Sequence, residues 1–380
     1  MTFTRKQVIA YRIAVQGLHR DSGRAGDPGD LSVLDLGVQE AMGHAASVIL
    51  AARLADATAA RDVEVGPGRD LALAWTFRGA PHIHRRSDLD RVVRALWPLS
   101  EADAMTRLNE NGRSVERQGI AALEQFELAV AAMRASVARP TDKGAASTAA
   151  TRRLPEAMRR ECRLCGTPHL SDSAMRAAAP VAGLELEPGT SPPVLLRRRG
   201  ARLPRRADPA AVAACAAVYL THLGPASDGD VAGFLGARRA DVRGVLNDDA
   251  ADEFESVEVD GRSALLPAGR ADDVAGAPAP DVVRLLGPFD PYLQARDRDL
   301  IVPDPARQKA LWPALGRPGA ILADGEIVGT WRAKAGATLT VTVTAFTRLP
   351  ARVWDAVSAE AETVAVVRGA ADVRVVRGDS

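Results

Sequence analysis

The stretch DPAAVAACAAVYLTHLGPASDGDVAGFLGARRADVRGVL, residues 208–246, decides the fold of this chain. Pro209 suits the first turn of a helix, Gly224-Pro225 is a turn, and Ser227 is a suitable N-cap for the helix that follows it. Further on, Asp260-Gly261 lies between two β-rich runs and favours the positive φ values of a tight hairpin turn. The predicted elements are three helices (208–223, 228–235 and 237–246) and two strands (255–259 and 263–266). This is the order of a winged helix, whose third helix can enter a nucleic-acid groove.

Two weaker copies of this helix and strand pattern precede residue 208. The first starts with Thr4 as a suitable N-cap, and its third helix is apolar on almost every side, so we expect that helix to be buried. Its predicted elements are helices 5–18, 31–36 and 45–54 and a strand at 71–77. In the second copy, Thr141 or Asp142 can cap a short helix after a longer helix at 116–136. We therefore expect three tandem winged helices, at 1–120, 121–206 and 207–273.

Strand signals dominate after a linker of Ala, Gly and Pro at 275–280. Strands are predicted at 282–286, 320–323, 326–331, 338–346 and 373–376, with a helix at 351–367. Leu339, Val341 and Val343 alternate with threonines, a pattern that buries one face only. The expected fold class is therefore α+β, with the winged helices followed by a small antiparallel β-barrel-like domain, or a curled sheet, at 281–380.

Composition describes an ordinary globular chain of two to four domains, with 380 residues, 49 Lys and Arg, 48 Asp and Glu, and 47% hydrophobic residues. No apolar run approaches the roughly 20 residues needed to cross a bilayer, and residues 1–16 lack the pattern of a secretion signal. We therefore expect a cytoplasmic protein with no membrane partner. Cys162, Cys165 and Cys215 are too few to form a disulfide framework.

Charge is unevenly distributed. Arginine supplies 45 of the 49 cations, which suits bidentate contacts to phosphate but also follows from GC-rich coding. One cluster could neutralise several phosphates or could be a solvated linker: Arg197, Arg198, Arg199, Arg202, Arg205 and Arg206. By contrast, residues 248–260 contain seven acidic residues and no basic one, so the third wing would repel phosphates. We expect the third winged helix to act as a scaffold.

Several classes of chemistry have no support in the sequence. There is no phosphate-binding loop, no dinucleotide-binding motif and no serine-hydrolase elbow, so no nucleotide cofactor is expected. Cys162, Cys165 and His169 have the spacing of half a zinc site, but a structural zinc needs four ligands and the fourth is missing. We expect no metal and no cofactor.

Two short segments could carry chemistry. Arg78, His82 and His84 follow the strand at 71–77 and read as a loop that can meet a ligand, although both imidazoles could instead be surface residues at a strand end. Gln39 follows Gly37 and could be either a reactive amide or a buried amide that caps local backbone.

Four segments in this order and spacing make the chain resemble the winged-helix DNA glycosylases of the AlkZ and YcaQ type. They are LGVQ (36–39), WTFRGAPH (75–82), LLGPFD (285–290) and ADGEIVGTW (323–331). The resemblance spans nearly the whole chain. It implies three tandem winged helices followed by a β-barrel, in an arrangement that cups duplex DNA.

The resemblance also implies a reaction and its residues. Family members remove N7-alkylpurines with a Gln-x-Gln or Gln-x-Asp motif. Because N7 alkylation makes the base a cationic leaving group, a neutral glutamine that positions water can suffice. The first motif residue falls on Gln39 and the second on Ala41, which has no polar group in its side chain. Glu40 or His44 could take over, Gln39 alone could support slow excision, or the protein could bind DNA without cutting it.

These considerations predict a monomer that binds duplex DNA and hydrolyses N-glycosidic bonds of alkylated purines. The catalytic residues would be Gln39 and Glu40, and the DNA contacts would come from Arg78, His82, His84, Arg197, Arg198, Arg199 and Arg202. One rival is a winged-helix DNA binder without activity, such as a transcription factor or lesion sensor, which would show salt-dependent binding and no base release. Another is a protein-interaction module, which the acidic third wing would suit and which would not bind duplex DNA even at low salt.

Overall fold

A computed structural model describes residues 1–20, 26–41, 45–162, 166–336 and 338–378, with the backbone alone described at Glu110 and Cys162. The described chain is a mixture of helices and strands, as the α+β class requires. None of its helices is both long enough and apolar enough to span a bilayer.

The helices account for most of the regular structure. In chain order the α-helices of the described residues are α1 (Arg5–Val15), α2 (Ala45–Ala51), α3 (Ala57–Arg61), α4 (Arg86–Ala95), α5 (Glu101–Glu116), α6 (Ala122–Ser136), α7 (Lys143–Thr151), α8 (Asp172–Val181), α9 (Pro209–Leu223), α10 (Asp228–Leu235), α11 (Arg239–Gly244), α12 (Ala271–Ala275), α13 (Arg298–Ile301), α14 (Pro305–Leu311) and α15 (Ala351–Val367).

Short strands separate the helices in the first two thirds of the chain and longer strands follow. They are β1 (Thr2–Phe3), β2 (Val38–Gln39), β3 (Leu71–Trp75), β4 (Pro81–Arg85), β5 (Thr141–Asp142), β6 (Arg160–Cys162), β7 (Thr167–His169), β8 (Leu184–Leu186), β9 (Val194–Arg197), β10 (Phe254–Val259), β11 (Arg262–Pro267), β12 (Val283–Leu286), β13 (Gly319–Ala323), β14 (Glu326–Lys334), β15 (Leu339–Ala345) and β16 (Val373–Arg377).

The chain divides into two compact units, and each unit combines separate stretches of sequence. The first unit contains Met1–Val63, Leu220–Ser227 and Glu255–Ser380, and the second contains Glu64–Tyr219 and Asp228–Phe254. Neither unit coincides with one of the linear segments 1–120, 121–206 and 207–273 expected from the sequence.

In the first unit, Thr2 and Phe3 join the hairpin that the sequence predicts to be the third wing. Strand β1 pairs in parallel with β10, with Thr2 opposite Glu258 and Phe3 opposite Val259. The hairpin β10–β11 turns at Asp260 and Gly261, which have φ values of 47° and 79°, as the Asp-Gly dipeptide predicts. Phe3 packs into one hydrophobic cluster with residues of α1, the hairpin and α12.

The first unit also contains a five-stranded sheet in the order β12-β13-β14-β15-β16, and α15 packs against this sheet. Leu339, Val341 and Val343 are buried, as their alternation with threonines predicts. The expectation of a wholly antiparallel barrel is wrong in one respect, because β15 and β16 pair in parallel. The long helix α15 makes this possible, since it carries the chain back along the sheet before β16 begins. The end strands β12 and β16 are not paired with each other in the described residues, so this sheet is open.

The second unit is built on an antiparallel sheet in which β4, β3, β8, β9 and β5 are neighbours in that order. Helices α5, α6, α7 and α8 pack against one another, and α8 also packs on β3 and β8. The region expected to be the third recognition helix, 237–246, is shorter than predicted: α11 ends at Gly244 and a π-helical turn follows at Val245–Asp249. Arg239 and Arg243 both pair with Asp228 of α10, at 2.7 Å and 2.5 Å.

Candidate functional site

Gln39 ends the short strand β2, and its side chain is half-buried. Its amide makes no hydrogen bond to any residue that the structure describes, so the interpretation of Gln39 as a sealed amide that caps backbone is not supported. Glu40 is also half-buried, and its Oε1 accepts the backbone N–H of Ala41 at 2.8 Å and that of Ala45, the first residue of α2, at 3.3 Å. The carboxylate therefore lies at the start of α2, where the helix dipole stabilises a negative charge.

A buried ion pair fixes α2 and thereby the segment before it. The guanidinium of Arg53 and the carboxylate of Asp290 are both fully buried and make two hydrogen bonds of 2.8 Å. The remaining donors of Arg53 go to Gln16 O, Gln16 Oε1 and Ile49 O. All five N–H groups of this arginine are thus satisfied, which is what a buried guanidinium requires.

His82 and His84 lie on strand β4 and not in a loop, which corrects the interpretation from sequence. The loop ends early because Phe77–Gly79 forms a tight 3-10 turn, and Pro81 starts a strand paired with β3. Residues two apart on a strand point to the same face, and both imidazoles point inward here, with 2% and 0% of their surface exposed. Their burial does not favour the direct contact with DNA that was predicted for them.

Thr76 links the two imidazoles. Its Oγ1 lies 2.9 Å from His82 Nδ1 and 3.0 Å from His84 Nε2, and His82 Nδ1 also lies 3.0 Å from Ala80 O. Since a carbonyl oxygen only accepts, His82 Nδ1 carries a proton and donates, and the threonine hydroxyl then donates to His84 Nε2. The proton of His84 is thereby placed on Nδ1, which is buried and has no acceptor among the described residues.

Both histidines are held neutral. Burial, the neighbouring His84 and Arg78 lower the pKa of His82 well below its usual value. Burial, with a smaller contribution from the charge of Arg91, lowers the pKa of His84 to about 3. The pair therefore supports the strand as an uncharged polar core and carries no charge toward a phosphate.

Arg78 is exposed and has φ 59°, a conformation that non-glycine residues seldom adopt. Its guanidinium donates to Phe234 O and lies 5.0 Å from the centre of the Phe234 ring. Gly236 makes this close approach possible, because a Cβ there would lie 3.3 Å from Arg78. Arg78 is thus a surface arginine held in a strained, defined position.

The arginine cluster contains one structural residue and several exposed ones. The side chain of Arg198 is 4% exposed and pairs with Asp90, an arrangement that does not favour the predicted contact of Arg198 with DNA. Arg198 follows the end of β9, and its backbone N–H donates to Gly183 O at 2.9 Å, whereas Arg197 and Arg199 are exposed. Arg197 donates to Val137 O and Arg134 O at the end of α6, whereas Arg199 and Arg202 are exposed and have no hydrogen-bond partner among the described residues.

The structure separates the predicted site residues between the units. Gln39 and Glu40 lie in the first unit, and Arg78, both histidines and the arginine cluster lie in the second. His44, one suggested substitute for the missing motif group, lies outside the described residues, as do Cys165 and the side chain of Cys162. The prediction about a metal at Cys162, Cys165 and His169 is therefore not tested.

The sequence of this chain matches a known protein family. A family model described as DNA glycosylase AlkZ-like matches residues 30–366, most of the chain. The chain belongs to the AlkZ-like DNA glycosylase family. No curated protein sequence matches it.

A solved structure of an AlkZ-like protein has the same fold. It is the DNA glycosylase AlkZ of Streptomyces sahachiroi, which is 22% identical, has a TM-score of 0.76, and is matched over 99% of this chain and 100% of that one. At this identity the likeness shows a shared fold, and the resemblance stated from sequence motifs is confirmed at the level of the family.

Sequence reasoning missed three residues in this AlkZ-like chain: Arg53, Arg107 and Arg176. The sequence feature that could have identified Arg53 is its position as a lone cation at the end of an apolar predicted helix. Arg107 and Arg176 lie in α5 and α8, two helices that were not predicted. They line the same cavity as Arg78.

Proposed function

We propose that this AlkZ-like protein is a monofunctional DNA glycosylase that hydrolyses the N-glycosidic bond of N7-alkylated purines in duplex DNA. The observation that carries the proposal is Gln39, a half-buried residue whose amide has no hydrogen-bond partner among the described residues, next to a carboxylate at a helix start. The resemblance assigns Gln39 to the first position of the family motif. The family match supports DNA as the substrate.

In the proposed reaction, Gln39 positions a water molecule. The carboxylate of Glu40 supplies a negative charge near the sugar. The water oxygen attacks C1′ of the sugar as the bond from C1′ to N9 breaks, and the electron pair of that bond neutralises the cationic base. The sugar passes through an oxocarbenium-like state, which a nearby carboxylate stabilises electrostatically. The proton lost by the water passes to Glu40 and then to solvent. Because one oxygen of Glu40 already accepts two backbone N–H groups, we assign it mainly the electrostatic role.

Exposed arginines would supply affinity for the phosphates. Arg78, Arg197, Arg199 and Arg202 are the exposed members of the predicted set, and among these Arg199 and Arg202 have no hydrogen-bond partner in the described residues. His82 and His84 act as positioning residues for the turn that carries Arg78, and Arg198 supports the strand through Asp90.

A second function is favoured by Ala41, which lacks the donor or acceptor that the second motif position supplies in the family. A protein with this change could bind alkylated DNA without releasing the base. Restoring the group in Ala41→Gln distinguishes the two functions.

The test measures abasic sites by alkaline strand scission in a duplex that carries N7-methylguanine, against a reaction without protein. Release is expected with the natural protein and with Gln118→Ala, which alters an exposed glutamine of the second unit, and not with Gln39→Ala. Ala41→Gln should raise the rate by about 10²-fold, since one positioned hydrogen bond is restored. Release that survives Gln39→Ala removes this residue from the mechanism. Binding without release, even with Ala41→Gln, establishes the non-catalytic function instead.

A further inference from the structure

The second unit contains a cavity of about 390 Å³, a volume within the roughly 300–1,000 Å³ range of small-ligand sites. Its walls are the turn at Phe77–Gly79, helices α5 and α8, and the end of α10 with the turn that follows. Three charged residues line it, Arg78, Arg107 and Arg176, and no acidic residue of the described chain does. The charged side chains that line the cavity are therefore all positive, which suits an anionic ligand.

Arg107 lacks an acceptor that its burial requires. Its side chain is 7% exposed, and its Nε donates to Asp103 Oδ2 at 3.1 Å. Asp103 also accepts the backbone N–H groups of Leu99 and Arg238. Nη2 of Arg107 lies 3.1 Å from the same carboxylate oxygen without hydrogen-bond geometry, and it is buried with no acceptor in the described residues. Because an unpaired buried donor is costly, an acceptor supplied by a ligand is the natural partner.

Arg176 is aimed at the same space by three contacts. It donates to Asp172 at 2.7 Å and to Gly79 O at 3.3 Å, and its guanidinium lies 5.2 Å from the centre of the Trp75 ring. Gly79 has φ +68°, and a Cβ there would lie 3.3 Å from the Cβ of Arg176, so the turn and α8 approach closely. The arginine is thereby held in place before any ligand arrives, which reduces the entropy lost on binding.

The rest of the lining suits an organic group that is covalently attached to the anion. The apolar wall is formed by Leu96, Ala177, Ala232, Leu235 and Ala237. Thr106, Asn109 and Ser173 add hydroxyl and amide groups that can donate and accept. Asn109 interrupts α5 with φ 56° and ψ −149°, so two strained non-glycine residues, Asn109 and Arg78, line this one cavity. Backbone strain of this kind is concentrated at binding sites.

We infer that this cavity binds a nucleoside monophosphate, with the phosphate held by Arg107 and Arg176 and the planar base against the aliphatic wall. Guanidinium groups bind phosphate in a bidentate manner and also stack on planar rings, which accounts for arginine on several sides of the cavity. The same chemistry is available from a free nucleotide or from a phosphorylated nucleotide at the end of a DNA strand. This inference goes beyond the proposed glycosylase activity, which it does not require.

The test is titration calorimetry on the full-length protein with two probes, deoxyguanosine monophosphate and a duplex that has a 5′-phosphorylated one-nucleotide overhang. The same duplex without the phosphate and inorganic phosphate serve as references. Arg107→Gln, Arg176→Gln and Ala177→Phe should each weaken binding at least about tenfold, since the first two remove a charged donor and the third fills the cavity. Arg117→Gln, which removes an exposed charge just beyond α5 and outside the cavity, should leave affinity unchanged.

Each result decides the inference. Binding of either probe that is lost in the three cavity variants and kept in Arg117→Gln supports it, and the probe that binds identifies the source of the nucleotide. Binding of neither probe, or binding that survives all three substitutions, overturns it. If inorganic phosphate binds as tightly as the nucleotide, the nucleoside does not contribute to binding, and its assignment to the cavity is overturned. Circular dichroism will show whether Arg107→Gln still folds. If it does not, Ala177→Phe and Arg176→Gln still test the inference, because they change partly exposed positions.

Discussion

Arg53 connects three parts of the first unit through one side chain. It bonds to Asp290 in the loop after β12, to Gln16 at the end of α1, and to Ile49 of α2, the helix that Arg53 follows. Because α2 begins just after the segment that carries Gln39, the position of the proposed catalytic amide depends on this buried network.

Substitution of Asp290 tests that dependence. Asp290→Ala leaves the Arg53 guanidinium buried and uncompensated, which should lower the free energy of unfolding by about 3–5 kcal/mol in urea denaturation. Asp299→Ala, which removes the partner of the exposed Arg262, should change it very little. Equal stability of the two variants would show that the buried pair contributes no more than a surface pair.

At the scale of an element, the hairpin of β3 and β4 should make stability depend on pH. The pKa of His84 is about 3 in the folded chain, and it returns to about 6.5 when the chain unfolds. Between these values only the unfolded state binds the proton, so the stability contributed by neutral His84 is complete above pH 6.5 and is lost as the pH falls. The loss should be about 1.4 kcal/mol per pH unit.

His84→Gln provides the comparison, since the amide cannot titrate and can still bond to Thr76. Urea denaturation from pH 7 to pH 4 should show a shallower decline for His84→Gln than for the natural protein. Carboxylates contribute to both curves, so the difference between them is the quantity to measure. Parallel curves would mean that His84 is already protonated in the folded chain.

Elements that begin or end at a recognisable cap or turn residue were predictable from sequence. Helix α9 begins at Pro209 and ends at Leu223 as expected, α15 has the expected bounds, and the Asp-Gly hairpin forms where predicted. Asp142 caps α7, one of the two alternatives that the sequence left open. These signals act within a few residues, so they do not depend on the rest of the fold.

Elements whose cause is tertiary were not predictable. Helix α5 contains Asn109 and Gly112, which look like helix breakers, and the helix is indeed interrupted at Asn109 but continues on both sides of it. Gly112 is tightly packed, since a Cβ there would lie 2.7 Å from Leu108 Cβ. His82 and His84 resembled an exposed loop, although their spacing of two already fitted one face of a strand. The lining of the cavity comes from distant segments, and no local pattern can show that they meet.

At the scale of the whole molecule, nearly equal numbers of cations and anions leave a net charge of +1, so affinity for DNA should come from localised arginines. If Arg199 and Arg202 each contact a phosphate, the double variant Arg199→Gln/Arg202→Gln should reduce the slope of log K against log salt by about 2. Fluorescence anisotropy with a duplex at several salt concentrations measures this slope. Arg262→Gln, beside the acidic wing, should leave it unchanged, and an unchanged slope in the double variant would assign the cluster to the solvated surface.

The parallel pairing of Thr2 and Phe3 with Glu258 and Val259 has a consequence for biosynthesis. A ribosome releases the start of the chain long before the strand that it must join, whereas most of the second unit emerges as one continuous stretch, Glu64–Tyr219. The intervening stretch can therefore acquire structure while the leading segment waits with Phe3, Val8 and Tyr11 still uncovered. Chaperone demand during synthesis should accordingly fall on the segment that carries Phe3, Val8 and Tyr11.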